Sequence, residues 1–136
     1  MFTTQLILNT ANSLRAMQLV VEAQAELLKV GYVDRHYGLE FRTETMAYLL
    51  LHKDTPVGIV QFYELNADAI YIALSYVKPR YRNRGGWKLL RDSVADYGRD
   101  NQKCSVFSGV CITNAVSMNA NKTRGKAVFA TFKEVL

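Results

Sequence analysis

The stretch that most limits how this chain can fold runs Val77-Lys78-Pro79-Arg80-Tyr81-Arg82-Asn83-Arg84-Gly85-Gly86-Trp87-Lys88-Leu89-Leu90. Before it, Ala69 to Val77 (AIYIALSYV) has the composition of a strand, ended by Pro79, which cannot donate to a ladder. After it, Leu90, Val94 and Tyr97 fall at i, i+4 and i+7, the spacing of one helix face, with Gly98 placed to cap the helix. Ser105 to Ile112 (SVFSGVCI) is strand-like again. Strand, helix and strand in this order predict two neighbouring parallel strands joined by the helix near Leu89 to Tyr97. A helix start behind glycines is also a place for an anion. Its first N–H groups lack intrahelical partners, the helix dipole favours negative charge, and glycine lets the backbone come close. The pattern is neither a Walker loop, since no Gly-Lys-Ser/Thr follows, nor Gly-x-Gly-x-x-Gly. A tight turn with exposed arginines would use the same residues.

The charge of the chain is concentrated in the same place. Eight bases and three acids between Lys78 and Lys103 account for the whole net charge of +5, and the remaining nine bases and nine acids cancel. Six of those bases lie between Lys78 and Arg91 with no acid among them. One reading is a solvated basic face; the other is a site for a polyanion, either nucleic acid or a small phosphorylated ligand.

The rest of the chain reads as an ordinary globular domain. A length of 136 residues leaves room for one domain over 1–136, and a hydrophobic share of 49% excludes a disordered or linker role. A core this size needs no metal or disulfide. Cys104 and Cys111, seven apart with no Cys-x-x-Cys and no neighbouring His, make neither a zinc site nor a disulfide framework; they read as small core residues in a reducing compartment. The start, Met1 to Gln5, has no basic leader, and Met17 to Val30 is interrupted by Gln18, Glu22, Gln24, Glu26 and Lys29, too often to span a membrane. A cytoplasmic location is expected.

Leu14, Met17, Val21, Ala25 and Leu28 mark one apolar helix face, capped at Asn12 or Ser13 and stopped at Gly31. Tyr32 to Phe41 is irregular, and Thr43 to Met46 suits the start of a helical turn. Met46 to Leu51 and Val57 to Leu65 read as a hairpin across His52 to Pro56, followed by a turn at Asn66-Ala67-Asp68. A short helix near Ala115 to Lys122, capped at Thr113 or Asn114 and ended by Gly125, precedes a last strand within Ala127 to Leu136. The expected class is α/β (α+β): a single-domain mixed sheet of about six strands flanked by helices.

With these residues in place, the chain resembles the GNAT superfamily, the acyl-CoA-dependent N-acetyltransferases. Their motif A typically reads V-x-P-x-[YH]-R-[GN]-[KR]-G-[ILV]-G-x-x-L-[LI], and Val77, Pro79, Tyr81, Arg82, Arg84, Gly85, Leu89 and Leu90 fit it. Family members also often carry an Asn after the fifth strand and a Gly eleven residues later, as Asn114 and Gly125 are spaced here. The two motifs span about 60 residues. The hairpin around Asp54-Thr55-Pro56-Val57-Gly58 is similar to the front half of the family. The resemblance implies acetyl-CoA as cofactor and an unknown amine as acceptor, with a homodimer left open. It implies that backbone amides from Arg82 to Trp87, including Asn83, Arg84, Gly85 and Gly86, hold the pyrophosphate. Backbone groups of Tyr76, Val77 and Lys78 would pair with the pantetheine arm as an added strand would. Arg80, Arg82, Arg84 and Lys88 would suit the pyrophosphate or the 3′-phosphate, which accounts for the charge without nucleic acid.

The sequence departs from the pattern twice. Arg-Gly-Gly-Trp-Lys-Leu-Leu replaces Arg-Gly-x-Gly-x-x-Leu-Leu. Either one residue is deleted and Gly85 and Gly86 are the two motif glycines, the preferred alignment, or Trp87 takes the second glycine position. The family's Tyr, seven residues after the Asn and general acid to the leaving thiolate, is replaced by Asn121, which cannot transfer a proton. The strand Ala69 to Val77 also lacks the Glu that some relatives use as base. Tyr76 and Ser117 are the substitutes for the acid; Glu64, Asp68, His36 or ordered water for the base. Asn114 is carried as a catalytic and cofactor position and Asn121 as a cofactor position. Direct attack of an amine on the thioester needs mainly positioning and amide donors, so an N-acetyltransferase is expected. A non-catalytic structural or interaction protein of the same fold is the alternative, and a small basic nucleic-acid binder the lesser one.

Overall fold

Six strands lie side by side in the order in which the chain makes them: β1 (Phe2–Ile7), β2 (Met46–His52), β3 (Thr55–Asn66), β4 (Ala69–Val77), β5 (Ser105–Gly109) and β6 (Thr131–Val135). This computed structural model describes residues 1–29, 45–109 and 131–136. All neighbouring strands are antiparallel except β4 and β5, which run parallel as the sequence predicts, joined by helix α2 (Gly86–Asp100). Helix α1 (Leu14–Lys29) covers the opposite face of the sheet.

Local chemistry explains the corners. The β2–β3 hairpin turns on Lys53 and Asp54, at φ 49° and 66°, a two-residue turn whose twist matches that of the strands. Ser13 Oγ accepts the N–H of Ala16 at 3.2 Å and so caps α1, as expected. At the second turn, Asn66 Oδ1 accepts the N–H of Asp68 at 2.8 Å.

The core is split by the sheet. Toward α2 lie Leu50, Val57, Val60, Phe62, Ile70, Ile72 and Val77 with Leu90, Val94 and Val106. Toward α1 lie Ala47, Leu49, Ile59 and Tyr76 with Ala16, Leu19, Val20 and Ala23. Both faces are covered, which is why β3 reads as a nearly unbroken apolar run.

Five expectations need correction. The buried stripe of α1 is not the expected one: Leu14 is 73% and Val21 55% exposed, whereas Ala16, Leu19, Val20 and Ala23, at i, i+3, i+4 and i+7, are buried against Ala47, Leu49 and Ile59 of the sheet. The strand β1 is unexpected from its sequence, because FTTQLI has a mostly polar character and an edge strand buries only part of itself. Gly98 does not cap α2 but lies inside it, where an added Cβ would stand 2.6 Å from Leu136 Cδ1; the left-handed residue comes later, at Gln102. Thr45 and Met46 do not begin a helical turn: the Thr45 carbonyl accepts from Thr10 N–H at 2.9 Å, and Met46 opens β2. Cys104 is exposed in the connection before β5, not in the core. The segments around Tyr32 to Phe41 and Ala115 to Lys122, and Cys111, lie outside the described residues.

Candidate functional site

At the C-terminal end of β4 the chain makes a single 3-10 turn over Pro79–Tyr81, passes Arg82, and takes left-handed conformations at Asn83 (φ 61°) and Gly85 (φ 83°) before α2 begins at Gly86. The first intrahelical bond at this end runs from Leu89 N–H to the Gly85 carbonyl at 3.1 Å, so the N–H groups of Gly86, Trp87 and Lys88 precede it. The two glycines are required for different reasons. Gly85 supplies the positive φ of the N-cap. Gly86 is buried against β2, and a Cβ there would stand 2.5 Å from Leu50 Cδ2. The close packing at the helix start falls on Gly86, while Trp87 is half-buried and lies under the Arg91 guanidinium at 5.5 Å from its ring centre.

The parallel pairing of β4 to β5 covers Ala69 to Ile72 against Ser105 to Ser108; among the described residues, Leu74 to Val77 pair with β3 alone, so that their other edge has no partner beside this helix start. Lys78 N–H donates to the Val57 carbonyl at 2.8 Å, toward β3. By strand alternation the N–H and carbonyl of Val77 point the other way, into the open side. The Val77 carbonyl there accepts from Arg82 Nε at 2.7 Å.

Most of the basic segment is neutralised locally. Lys78 stands 3.7 Å from Glu22, Arg82 2.8 Å from Glu26, Lys88 2.8 Å from Asp92, and the buried Arg91 3.5 Å from the buried Glu134. Arg80 and Arg84 have no acidic partner among the described residues. Both guanidinium groups lie on the ring of Tyr81, at 5.5 and 5.9 Å from its centre. Tyr81 in turn packs against His52 and Phe2, with ring centres 5.3 and 6.5 Å away. The imidazole of His52 is held below its ordinary pKa, first by desolvation and then by the amino terminus, Lys53, Arg84 and Arg80.

The structure separates several residues that the sequence placed together. Tyr76 is buried at the end of β4 on the α1 side, opposite to Val77, as alternation predicts. Its hydroxyl donates to Glu22 Oε1 at 3.3 Å, and burial, with Glu22 and Glu26 nearby, raises its pKa above the ordinary tyrosine value. Glu64 pairs in register with Ile70, six residues from Tyr76, or roughly 20 Å along the strand. It meets Tyr97 and Lys103, each at 3.5 Å, so Glu64 and Tyr76 do not share one site. Asp68 is exposed in the turn at the same far end. Asn114, Ser117, Asn121 and His36 lie outside the described residues. The carboxylates that do reach the end of β4, Glu22 and Glu26, were missed. Their spacing of four puts them on one side of α1, but nothing in the sequence ties that side to β4. Among the described residues no His, Cys, Asp and Glu come together as a metal site, and no helix is long and apolar enough to cross a membrane.

The family model for the acetyltransferase (GNAT) family matches residues 14–125. No curated protein matches the sequence. Among solved structures, a GNAT family acetyltransferase from Elizabethkingia anophelis with acetyl-CoA bound superposes with a TM-score of 0.77 at 13% identity, covering 99% of this chain and 98% of that one. The IAA acetyltransferase from Bacillus cereus gives 0.77 at 9% identity over 100% of both chains. The PaiA N-acetyltransferase from Thermoplasma acidophilum in complex with coenzyme A gives 0.76 at 11% identity, covering 98% and 99%. At these identities the likeness is one of fold.

Proposed function

The chain belongs to the acetyltransferase (GNAT) family, and on that premise we propose that residues 1–136 form one catalytic domain that transfers an acetyl group from acetyl-CoA to an amine. One observation carries the reading. The half of β4 that has no partner on its β5 side among the described residues, Leu74 to Val77, leads through the loop of residues 78–85 to the start of α2, where the Gly86, Trp87 and Lys88 N–H groups precede the first helical bond. An extended arm with a diphosphate at its end suits that combination of strand edge and helix start.

The residues present fit the cofactor. The N–H groups of Gly86, Trp87 and Lys88 would hold the pyrophosphate, with Arg82 to Gly85 shaping the loop. Val77 would offer its outward backbone N–H to the pantetheine amide. Arg80 and Arg84, the two guanidinium groups of the basic segment without an acidic partner among the described residues, are the charges free for phosphate. When bound, acetyl-CoA supplies the acetyl group as a thioester activated toward an amine. The protein's part is to hold the acceptor in line, to exclude water and to aim backbone N–H groups at the acyl oxygen. The local ion pairs of Lys78, Arg82, Lys88 and Arg91 leave little of the basic segment for a polyanion such as nucleic acid.

Calorimetric titration with acetyl-CoA, followed by thiol release against a panel of primary amines, tests this reading. Binding with turnover is the expected result. Binding without turnover across the panel would favour a non-catalytic member of the family, and no binding would remove the reading altogether.

A further inference from the structure

We propose that Glu22, carried by α1 to the C-terminal end of β4, is the carboxylate that takes the proton from the acceptor amine. The inference rests on the transferase reading above and adds to it a base that comes from a helix instead of from the sheet.

Three observations converge on Glu22. Among the described residues no strand carries an acid at this end: the carboxylate of β3, Glu64, sits roughly 20 Å away along the strands and is engaged by Tyr97 and Lys103, and Asp54 lies outside the strands, in the exposed β2–β3 turn. Of the two carboxylates that α1 brings here, Glu26 is bound by Arg82 at 2.8 Å and belongs to the loop's own scaffold. Glu22 is held more loosely, by the Tyr76 hydroxyl at 3.3 Å and by Lys78 at 3.7 Å. Its side chain is 44% exposed, so an amine can approach it and a proton can leave it.

An aliphatic amine arrives at neutral pH as an ammonium ion with no lone pair to attack with. One proton passes from the ammonium nitrogen to a carboxylate oxygen of Glu22, which leaves the amine neutral and makes Glu22 a carboxylic acid. Exchange with water then restores the carboxylate. The Tyr76 phenol donates to Oε1 and fixes the orientation of the group, which makes Tyr76 a positioning residue for Glu22.

The test is Glu22→Gln, with Glu22→Asp beside it and thermal unfolding as a check that both are folded. With an alkyl amine the Gln variant should lose about 10²-fold in kcat, while the calorimetric Kd for acetyl-CoA stays at the wild-type value and the Asp variant recovers part of the rate. With an aryl amine, already neutral at pH 7, the deficit should shrink by about tenfold or more. Equal losses with alkyl and aryl amines would overturn the proposal and leave the transferase reading standing. A wild-type protein that turns over no amine at all would overturn the proposal together with the catalytic reading.

Discussion

Arg82 donates from Nε to the carbonyl oxygen of Val77 at 2.7 Å, and its outer nitrogen meets Glu26 at 2.8 Å. The same guanidinium lies 5.6 Å from the centre of the Tyr76 ring. One side chain thus ties the loop to the last residue of β4 and to α1, and its donors are turned inward. Arg82→Gln should therefore lower stability by about 1–2 kcal/mol, the value of a charge-assisted bond at a partly exposed site. It should weaken acetyl-CoA and acetyl-dephospho-CoA to the same extent. A loss confined to the form with the 3′-phosphate would mean that Arg82 reaches that phosphate itself.

Arg80 and Arg84 should behave in the opposite way. With no acidic partner among the described residues and a shared aromatic support in Tyr81, they carry charge that a phosphate can use. The double variant Arg80→Gln/Arg84→Gln should weaken acetyl-CoA by about tenfold or more while acetyl-dephospho-CoA loses less. Its thermal stability should stay close to wild type, and calorimetry with the two ligands measures the difference directly.

The two loop glycines should respond differently to alanine. At Gly86 the new methyl would meet Leu50 Cδ2 at 2.5 Å, and Leu50 is fully buried, so its side chain or the helix must shift within a packed core. A loss of about 1–3 kcal/mol is expected there. At Gly85 nothing lies within 4 Å, and only the left-handed φ of 83° opposes the change, a cost of about 1–2 kcal/mol. Unfolding in urea measures both losses, and crystals of Gly86→Ala should show Leu50 in a new rotamer or α2 displaced from β2.

His52 makes a prediction about pH. Its pKa is lowered in the folded chain by desolvation and then by the surrounding positive charges, so the unfolded chain binds more protons through this range. Stability from this residue is present above the unfolded value of about 6.5 and is lost as pH falls through the lowered one. His52→Asn should consequently lose less of its Tm between about pH 7.5 and about pH 5.5 than the wild type does. Parallel melting curves for the two proteins would contradict the assignment.

Much of the fold was legible because it is written in local chemistry. Pro79 ends β4, the glycines open α2, and the apolar spacing of Leu90, Val94 and Tyr97 predicts the crossover that makes β5 parallel to β4. The choice of face on α1 was not legible, since the helix offers two apolar stripes, one with Leu14 and Val21 and one with Ala16, Leu19, Val20 and Ala23, and the sheet beneath buries the second. The loop was visible as a basic segment, but its division into paired and unpaired charges depends on Glu22, Glu26 and Glu134, which lie more than 40 residues away in sequence. Glu64 and Tyr76 both lie on neighbouring strands, yet strand direction sets them at opposite ends, a relationship that register alone reveals.

The sheet order has a kinetic consequence. β3 pairs with β2 and β4 with β3, each across a turn of two residues, so these contacts are short-range and quick to form. The joint of β4 to β5 must wait for all of α2 to be laid across the face, and among the described residues it is secured by four residue pairs. The groove proposed for the cofactor therefore lies beside a seam of high contact order, the place where assembly finishes late and where hydrogen exchange should report the earliest opening.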